Sequence, residues 1–239
     1  MIRLSDRLLA LAEFVTPGHR LADIGTDHGY VPIYLTKSNT IPLAIAMDIN
    51  EGPLKKAEEH IISHQLESRI KTRLSDGLEK LLPGEADTVL IAGMGGALMS
   101  RIIENGREVL KTVPELILQP QSEIARFRHF LHDNHYKIVR ERMLIDDGKY
   151  YVMMKAVHGD EHYDREVFYI YSKLLLTAKD ETLHRLIKKE LSTNEEIYTR
   201  LSSVDTPNAK EKRKLLEEKI NYGKEALKYY ELQTADSPS

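Results

Sequence analysis

Two stretches and two short loops hold the residues whose types and spacing could do chemistry. They are Asp23-Ile24-Gly25-Thr26-Asp27-His28-Gly29-Tyr30, Gly93-Met94-Gly95-Gly96 and, between these, Asp48 and Ser75-Asp76-Gly77. A glycine has no Cβ, so the chain can turn tightly and a ligand can lie against its backbone. An ionised carboxylate only accepts hydrogen bonds, and it can take two from a ribose diol or one from the exocyclic amine of an adenine. Glycine turns flanking two such carboxylates describe a site for an adenosine-bearing cofactor laid across strand tips. The charge of the first turn then selects among such cofactors. A dinucleotide needs a pyrophosphate cradle, normally Gly-x-Gly-x-x-Gly. Here Thr26, Asp27 and His28 separate the glycines, and Asp27 would repel a pyrophosphate. Asp23 and Asp27 suit a cation, and S-adenosylmethionine carries a sulfonium and an α-ammonium group. On this reading the cofactor positions are Asp23, Gly25, Thr26, His28, Asp48, Ile49, Asp76, Gly77, Gly93, Met94 and Gly95. A nicotinamide-dependent dehydrogenase ranks last among the alternatives.

The elements that must position these residues alternate. Residues 4–15 have helical spacing, with Ser5 as N-cap and Pro17-Gly18 as terminator. Strands follow at 20–24, 43–48, 70–74, 87–92 and 116–118, with helices at 29–38, 51–64, 97–107 and 122–134. Near-continuous apolar runs such as Val89–Ala92 fit parallel strands covered on both faces. Tyr136–Leu144 and Lys149–Val157 flank Asp146-Asp147-Gly148, a hairpin turn signal. The fold class is therefore α/β: a Rossmann-like sheet of five β/α units with a closing hairpin, the methyltransferase version of the doubly wound sheet. Residues 1–158 form this domain. Residues 159–239 carry no strand signal. Leu183, Ile187, Asn194, Ile197, Leu201 and Val204, then Leu216, Ile220, Gly223, Leu227 and Tyr230, step by three and four. They predict two helices folded back on each other as an antiparallel, coiled-coil-like extension, with a turn at Asp205–Asn208. Thr234–Ser239 is expected to fray.

The 239 residues include 34 Lys and Arg against 37 Asp and Glu, a net charge of −3. No part is strongly basic, so contact with a nucleic acid requires local clusters. The absence of cysteine excludes disulfides, thiolate metal sites and a cysteine nucleophile. The charged N-terminus and the lack of a long apolar run predict a cytoplasmic protein with no membrane segment.

The strings Asp23–His28, Ala46-Met47-Asp48, Gly52-Pro53-Leu54, Ser75–Leu78, Ile91–Gly96 and Leu118–Gln121 resemble the bacterial tRNA (adenine-22-N1)-methyltransferases. The resemblance covers most of residues 1–157 and implies a class I methyltransferase domain, S-adenosylmethionine as donor and tRNA as partner. The implied reaction is methylation of N1 of the adenine at position 22. The alternatives are a methyltransferase of a non-RNA substrate and a catalytically silent RNA-binding protein of the same fold.

Methylating N1 leaves a cation on the base, and a nearby carboxylate would stabilise that charge. Asp27 is the expected catalytic residue; its rival role is to hold the amino group of the cofactor. The Asp often expected after the fourth strand is replaced by Gly93–Gly96. Arg7, Tyr30 and Gln119 are the expected substrate contacts, against readings as a solvated arginine, a core tyrosine and a backbone-satisfying amide. His28 either meets a ligand or caps the helix. Phosphate-contact candidates are Arg126 with Arg128, Arg140 with Arg142, Lys188 with Lys189, and Lys210 with Lys212, Arg213 and Lys214. His129, His132 and His135 spread around a helix, so no metal is expected. Nothing in the sequence requires an oligomer, and a monomer is the expected state.

Overall fold

A computed structural model describes residues 3–231. It divides into two compact units, one ending at His162 and one beginning at Tyr163. The division lies a few residues past the sequence boundary because the linker bonds back onto the first unit. Asp160 Oδ1 lies 2.6 Å from His135 Nδ1, and Glu161 Oε2 accepts from the Ile138 N–H at 3.2 Å.

The first unit is built on a seven-stranded sheet. Its strands are β1 (Leu21–Ile24), β2 (Ala44–Asp48), β3 (Ile70–Leu74), β4 (Thr88–Met94), β5 (Glu115–Pro120), β6 (Tyr136–Asp146) and β7 (Lys149–His158). The order is β3-β2-β1-β4-β5-β7-β6. The first five strands are parallel, β7 is antiparallel to β5, and β6 is antiparallel to β7. Asp147 and Gly148 close the hairpin with φ of 47° and 72°, the left-handed pair that a two-residue turn on twisted strands requires. β1 and β5 are buried along their whole lengths, as central strands between helical layers must be. Leu90, Ile91, Leu116, Ile117 and Leu118 are sealed from solvent, each contributing about 1.5–3 kcal/mol of transfer free energy.

The helices around this sheet are α1 (Asp6–Ala12), α2 (Tyr30–Lys37), α3 (Glu51–Ser63), α4 (Gly96–Asn105), α5 (Arg107–Leu110) and α6 (Ile124–Asp133). Ser5 caps α1, its Oγ accepting from the Leu8 N–H at 3.4 Å. β4 runs two residues past its expected end. Ala92 faces Gln119 and Met94 faces Pro120, so Gly93 is the extra residue of a bulge, at φ 77°. Bulges of this kind re-aim the chain beside functional sites.

In the second unit, α7 (Glu166–Tyr171) and α8 (Lys173–Thr177) precede α9 (Glu181–Leu201) and α10 (Pro207–Glu231). The long helices pair antiparallel: Lys224 Nζ meets Glu195 at 3.0 Å, and Arg213 Nη1 donates to Leu201 O at 2.8 Å. Leu183, Ile187, Leu216, Ile220 and Gly223 of the expected seam are buried, whereas Val204 lies beyond α9 and is exposed. Thr206 Oγ1 accepts from the Ala209 N–H, and Pro207 takes the first helical position, where its missing donor costs little. The tail from Thr234 to Ser239 lies outside the described residues. Among the described residues no helix is long and apolar enough to cross a membrane.

Candidate active site

A cleft of about 320 Å³ opens at the carboxyl ends of β1 and β4. Asp23, Gly25 and Asp27 line it from the turn after β1, Tyr30 and Val31 from α2, and Arg7, Leu8 and Leu11 from α1. Leu90, Ala92 and Gly93 come from β4, and Gln121 from the turn after β5. The strand ends thus bring together five of the residues singled out in the first turn and the β4 loop, with Arg7 as a sixth.

The turn after β1 is built to hold charge. Asp23 is almost wholly buried, and Thr26 Oγ1 donates to its Oδ2 at 2.6 Å. Burial pushes the Asp23 carboxyl up to about 6. The hydrogen bond from Thr26 opposes this, and the neighbouring Asp48 and Asp27 carboxylates add to it. Thr26 was expected among the cofactor contacts; its side chain instead supports Asp23. The Gly25 and Thr26 N–H groups both donate to Met47 O, at 2.8 and 2.9 Å. Those donors are spent, so this stretch of the turn offers no backbone cradle to a pyrophosphate.

The four glycine positions separate by function. At Gly25, φ is 73° and the Met94 side chain lies where a Cβ would be. At Gly93 a Cβ would meet only Gln121 Nε2 at 3.7 Å, so the backbone there faces open cleft. Gly95 and Gly77 are held by packing. A Cβ on the former would stand 2.9 Å from Ser122 Oγ, and on the latter 3.1 Å from the Ile102 side chain.

Farther along the strand tips, Asp48 Oδ1 accepts from the Asn50 N–H at 2.7 Å. Its Oδ2 has no hydrogen bond among the described residues. Ile49 beside it is 59% exposed, and Asp76 is exposed. Asp27 also points to solvent, its side chain 84% exposed and Oδ1 3.1 Å from His28 Nε2. His28 does not cap α2. Gly29 holds the N-cap position at φ 69°, and the His28 ring stacks against Tyr30 with centroids 5.2 Å apart. Tyr30 is a wall of the cleft rather than a core residue.

Two expected substrate contacts are coupled. Gln119 is completely buried and does not present a free amide; its Oε1 accepts from Arg7 Nη1 at 3.1 Å. Arg7 also lies over the Tyr151 ring, 5.4 Å from its centroid. The arginine is therefore fixed in the cleft wall, and Gln119 is its anchor. Sequence reasoning missed Gln121, Leu8, Leu11, Val31, Leu90 and Ala92. Gln121 lay inside the Leu118–Gln121 string, but the five apolar residues carry no chemical signal.

Several proposed phosphate contacts are otherwise engaged. Arg142 pairs with Glu13 at 2.6 Å, and Arg140 lies 4.2 Å from the Phe14 centroid and donates to Glu13 O. Arg128 is buried on Glu141 at 2.8 Å. Lys210 pairs with Asp205, and Arg213 donates to the carbonyls of Leu201, Ser202 and Val204 at and just past the end of α9. Lys188, Lys189, Lys212 and Lys214 are exposed, and the exposed Arg126 lies 3.4 Å from Glu123. Among the described residues no group of three His, Cys, Asp or Glu side chains is placed to hold a metal. A second cleft, about 280 Å³, lies at the amino ends of β1–β3. Its Arg20 and Arg73 are paired with Asp87 and Glu85, and Arg69 donates to Pro42 O and Ile41 O, so its guanidinium groups serve the fold.

The sheet order with its antiparallel closing strand, and an acidic glycine turn at the strand tips, define the methyltransferase class. Residues 4–154 match the family described as "Methyltransferase domain". The Bacillus subtilis tRNA (adenine(22)-N(1))-methyltransferase is 35% identical over 232 residues, covering 95% of this chain and 98% of that protein. The crystal structure of the B. subtilis M1A22 tRNA methyltransferase TrmK superposes with a TM-score of 0.87 at 34% identity, over 95% of this chain and 100% of that one. A Streptococcus pneumoniae protein solved in complex with S-adenosyl-L-methionine gives 0.84 at 32% identity, over 94% and 100%. The chain belongs to the tRNA (adenine(22)-N(1))-methyltransferase family.

Proposed function

We propose that this protein transfers the methyl group of S-adenosylmethionine to N1 of the adenine at position 22 of tRNA. Kinship over nearly the whole chain supports the substrate. The observation that carries the chemistry is Asp23, a buried carboxyl held high and facing a cleft, beside a turn whose Gly25 and Thr26 N–H groups are already spent on Met47 O. That donor set fits a cationic cofactor.

Asp23 would hold the cationic end of the cofactor, with Gly25 and Gly93 giving it access to the backbone. Asp48 Oδ2 would take the ribose diol, Ile49 would cover one face of the adenine, and Asp76 would accept from its exocyclic amine. Thr26, His28, Gly77, Met94 and Gly95 act by shaping this pocket. When bound, S-adenosylmethionine supplies an electrophilic methyl whose bonding pair leaves on sulfur. Arg7, steadied by Gln119 and Tyr151, and Tyr30 would position the target base so that the N1 lone pair faces that methyl. Orientation of this kind accounts for most of the rate in a two-substrate displacement. The methylated base is a cation, and the exposed Asp27 carboxylate would balance that charge or accept a proton from the exocyclic amine.

The test is methyl transfer from labelled S-adenosylmethionine to unmodified tRNA transcripts carrying adenine or guanine at position 22. Transfer to the first and none to the second is the expected result. Equal transfer to both would refute the assigned site.

A further inference from the structure

Three rings gather beside the cleft, and the roles given above to His28 and Tyr30 leave the third, His60 of α3, without one. The centroids of His28, Tyr30 and His60 lie 5.2, 5.5 and 5.4 Å apart, with interplanar angles of 8°, 22° and 20°. Each ring is near both others, so they form a closed triangle rather than a column. Their planes are nearly parallel, so the triangle offers π faces of one orientation. All three are half-buried, and Tyr30 continues the surface into the cleft wall.

The arrangement is held at a cost. His28 has φ 61°, a left-handed conformation uncommon for a residue with a side chain. His60, from α3, lies with Nδ1 3.0 Å from the His28 carbonyl, so that nitrogen carries the proton and donates. The Nε2 of His28 lies 3.1 Å from Asp27 Oδ1. Backbone strain that the surroundings hold in place is characteristic of functional positions. Lys56, one turn before His60 on α3, is exposed and forms no ion pair among the described residues.

We propose that the His28–Tyr30–His60 triangle is a stacking platform for an unpaired nucleobase of the substrate RNA, with His60 as a positioning residue outside the cleft itself. This rests on the RNA-methylating reading above. Any nucleobase has a π face, so such a platform secures an exposed strand without reading its sequence. Lys56 stands where the attached phosphate could be met. A target base inside folded RNA must leave its stack, and a neighbouring base held on this platform offsets that loss.

The experiment compares His60→Gln, which keeps a donor for the His28 carbonyl but has no ring, with His60→Phe, which keeps a ring but has no donor. Affinity for a labelled tRNA transcript is measured without cofactor by fluorescence anisotropy, and S-adenosylmethionine affinity by calorimetry. Stacking predicts about tenfold weaker tRNA binding by the Gln variant, near-wild-type binding by the Phe variant, and unchanged cofactor affinity in both. Wild-type tRNA affinity in the Gln variant overturns the proposal. So does an equal loss in the Phe variant, which would make the His28 contact the cause. A loss confined to S-adenosylmethionine would give the platform to the cofactor's own base and equally overturn it. Methyl transfer by the wild type reads the proposed function separately: a protein that binds the transcript but does not methylate it fails that reading and leaves the platform test intact.

Discussion

Replacing Asp23 by Asn separates what the buried carboxyl costs the fold from what it gives the site. A carboxyl that titrates at about 6 in the folded chain instead of 3.8 is disfavoured in its charged form. Each pH unit of displacement is worth 1.36 kcal/mol, so ionising Asp23 in the folded protein costs about 3 kcal/mol above pH 7. The sign follows from the direction. The folded state holds this proton more tightly than the unfolded chain, so the group's contribution is intact below about 4 and is lost as pH rises through about 6. Asn keeps the acceptor for Thr26 Oγ1 and carries no charge. The variant without ligand should therefore exceed wild type in stability by about 3 kcal/mol at pH 8 and by roughly half of that at pH 5, read by urea unfolding. Cofactor binding should behave in the opposite sense. A cation beside Asp23 favours its ionised form, so wild-type affinity for S-adenosylmethionine should rise about tenfold from pH 5 to pH 7, and the variant should bind weakly and without this dependence. Equal stability of the two proteins at pH 8, or a wild-type affinity that is flat over that range, would refute the reasoning.

Three further substitutions probe other parts of the site and its support. Asp27→Ala should lower kcat by about 100-fold or more while cofactor affinity by calorimetry stays near wild type; a parallel loss of affinity would assign Asp27 to the cofactor instead. Gly25→Ala places a Cβ at φ 73° against the Met94 side chain, so thermal unfolding should show a loss of about 2 kcal/mol or more. Met94→Ala in the same chain should recover part of it, and a purely additive double mutant would contradict the contact. Glu141→Gln removes the negative charge 2.8 Å from the buried Arg128 guanidinium and should cost about 3–5 kcal/mol of stability in urea unfolding; a neutral change would show that this buried charge pair does not hold the fold together.

The strands were legible because parallel strands between two helical layers read as short apolar runs, and Asp23, Asp48, Gly93 and Gln119 fall at or near the ends of such runs. β4 shows the limit of that signal. Its pairing continues through a bulge at Gly93, and a glycine that looks like a strand terminator is in fact the inserted residue. The short helices α5, α7 and α8 have four to six residues, too few to display a helical period. The division of labour at the site was less visible than its membership. Asp23 and Thr26 stand three apart in sequence, which does not reveal that one serves the other. Gln119 and Gln121 flank a proline on one strand end, and only packing decides that the first anchors Arg7 while the second lines the cleft. The basic clusters misled because spacing reports which charges are neighbours in sequence, whereas the partners of Arg128, Arg140 and Arg142 come from other elements.

The electrostatics of the cleft bear on how its substrates are held. Asp23, Asp27 and Asp48 face one another closely enough that the last two raise the first. The protein as a whole carries −3. Such a site favours a cationic cofactor and a cationic product base, and it repels the phosphates on which most nucleic-acid affinity rests. Affinity for RNA must then come from cations away from the strand tips and from contacts that ignore charge. Lys56 on α3 and the exposed lysines of α9 and α10 are of the first kind. Stacking on the His28–Tyr30–His60 triangle is of the second, and unlike phosphate contact it is little screened by salt. Raising salt should therefore weaken tRNA binding to wild type and to His60→Gln with the same slope, the variant line lying below by a constant factor. Lines that converge at high salt would show that His60 acts through charge and not through its ring.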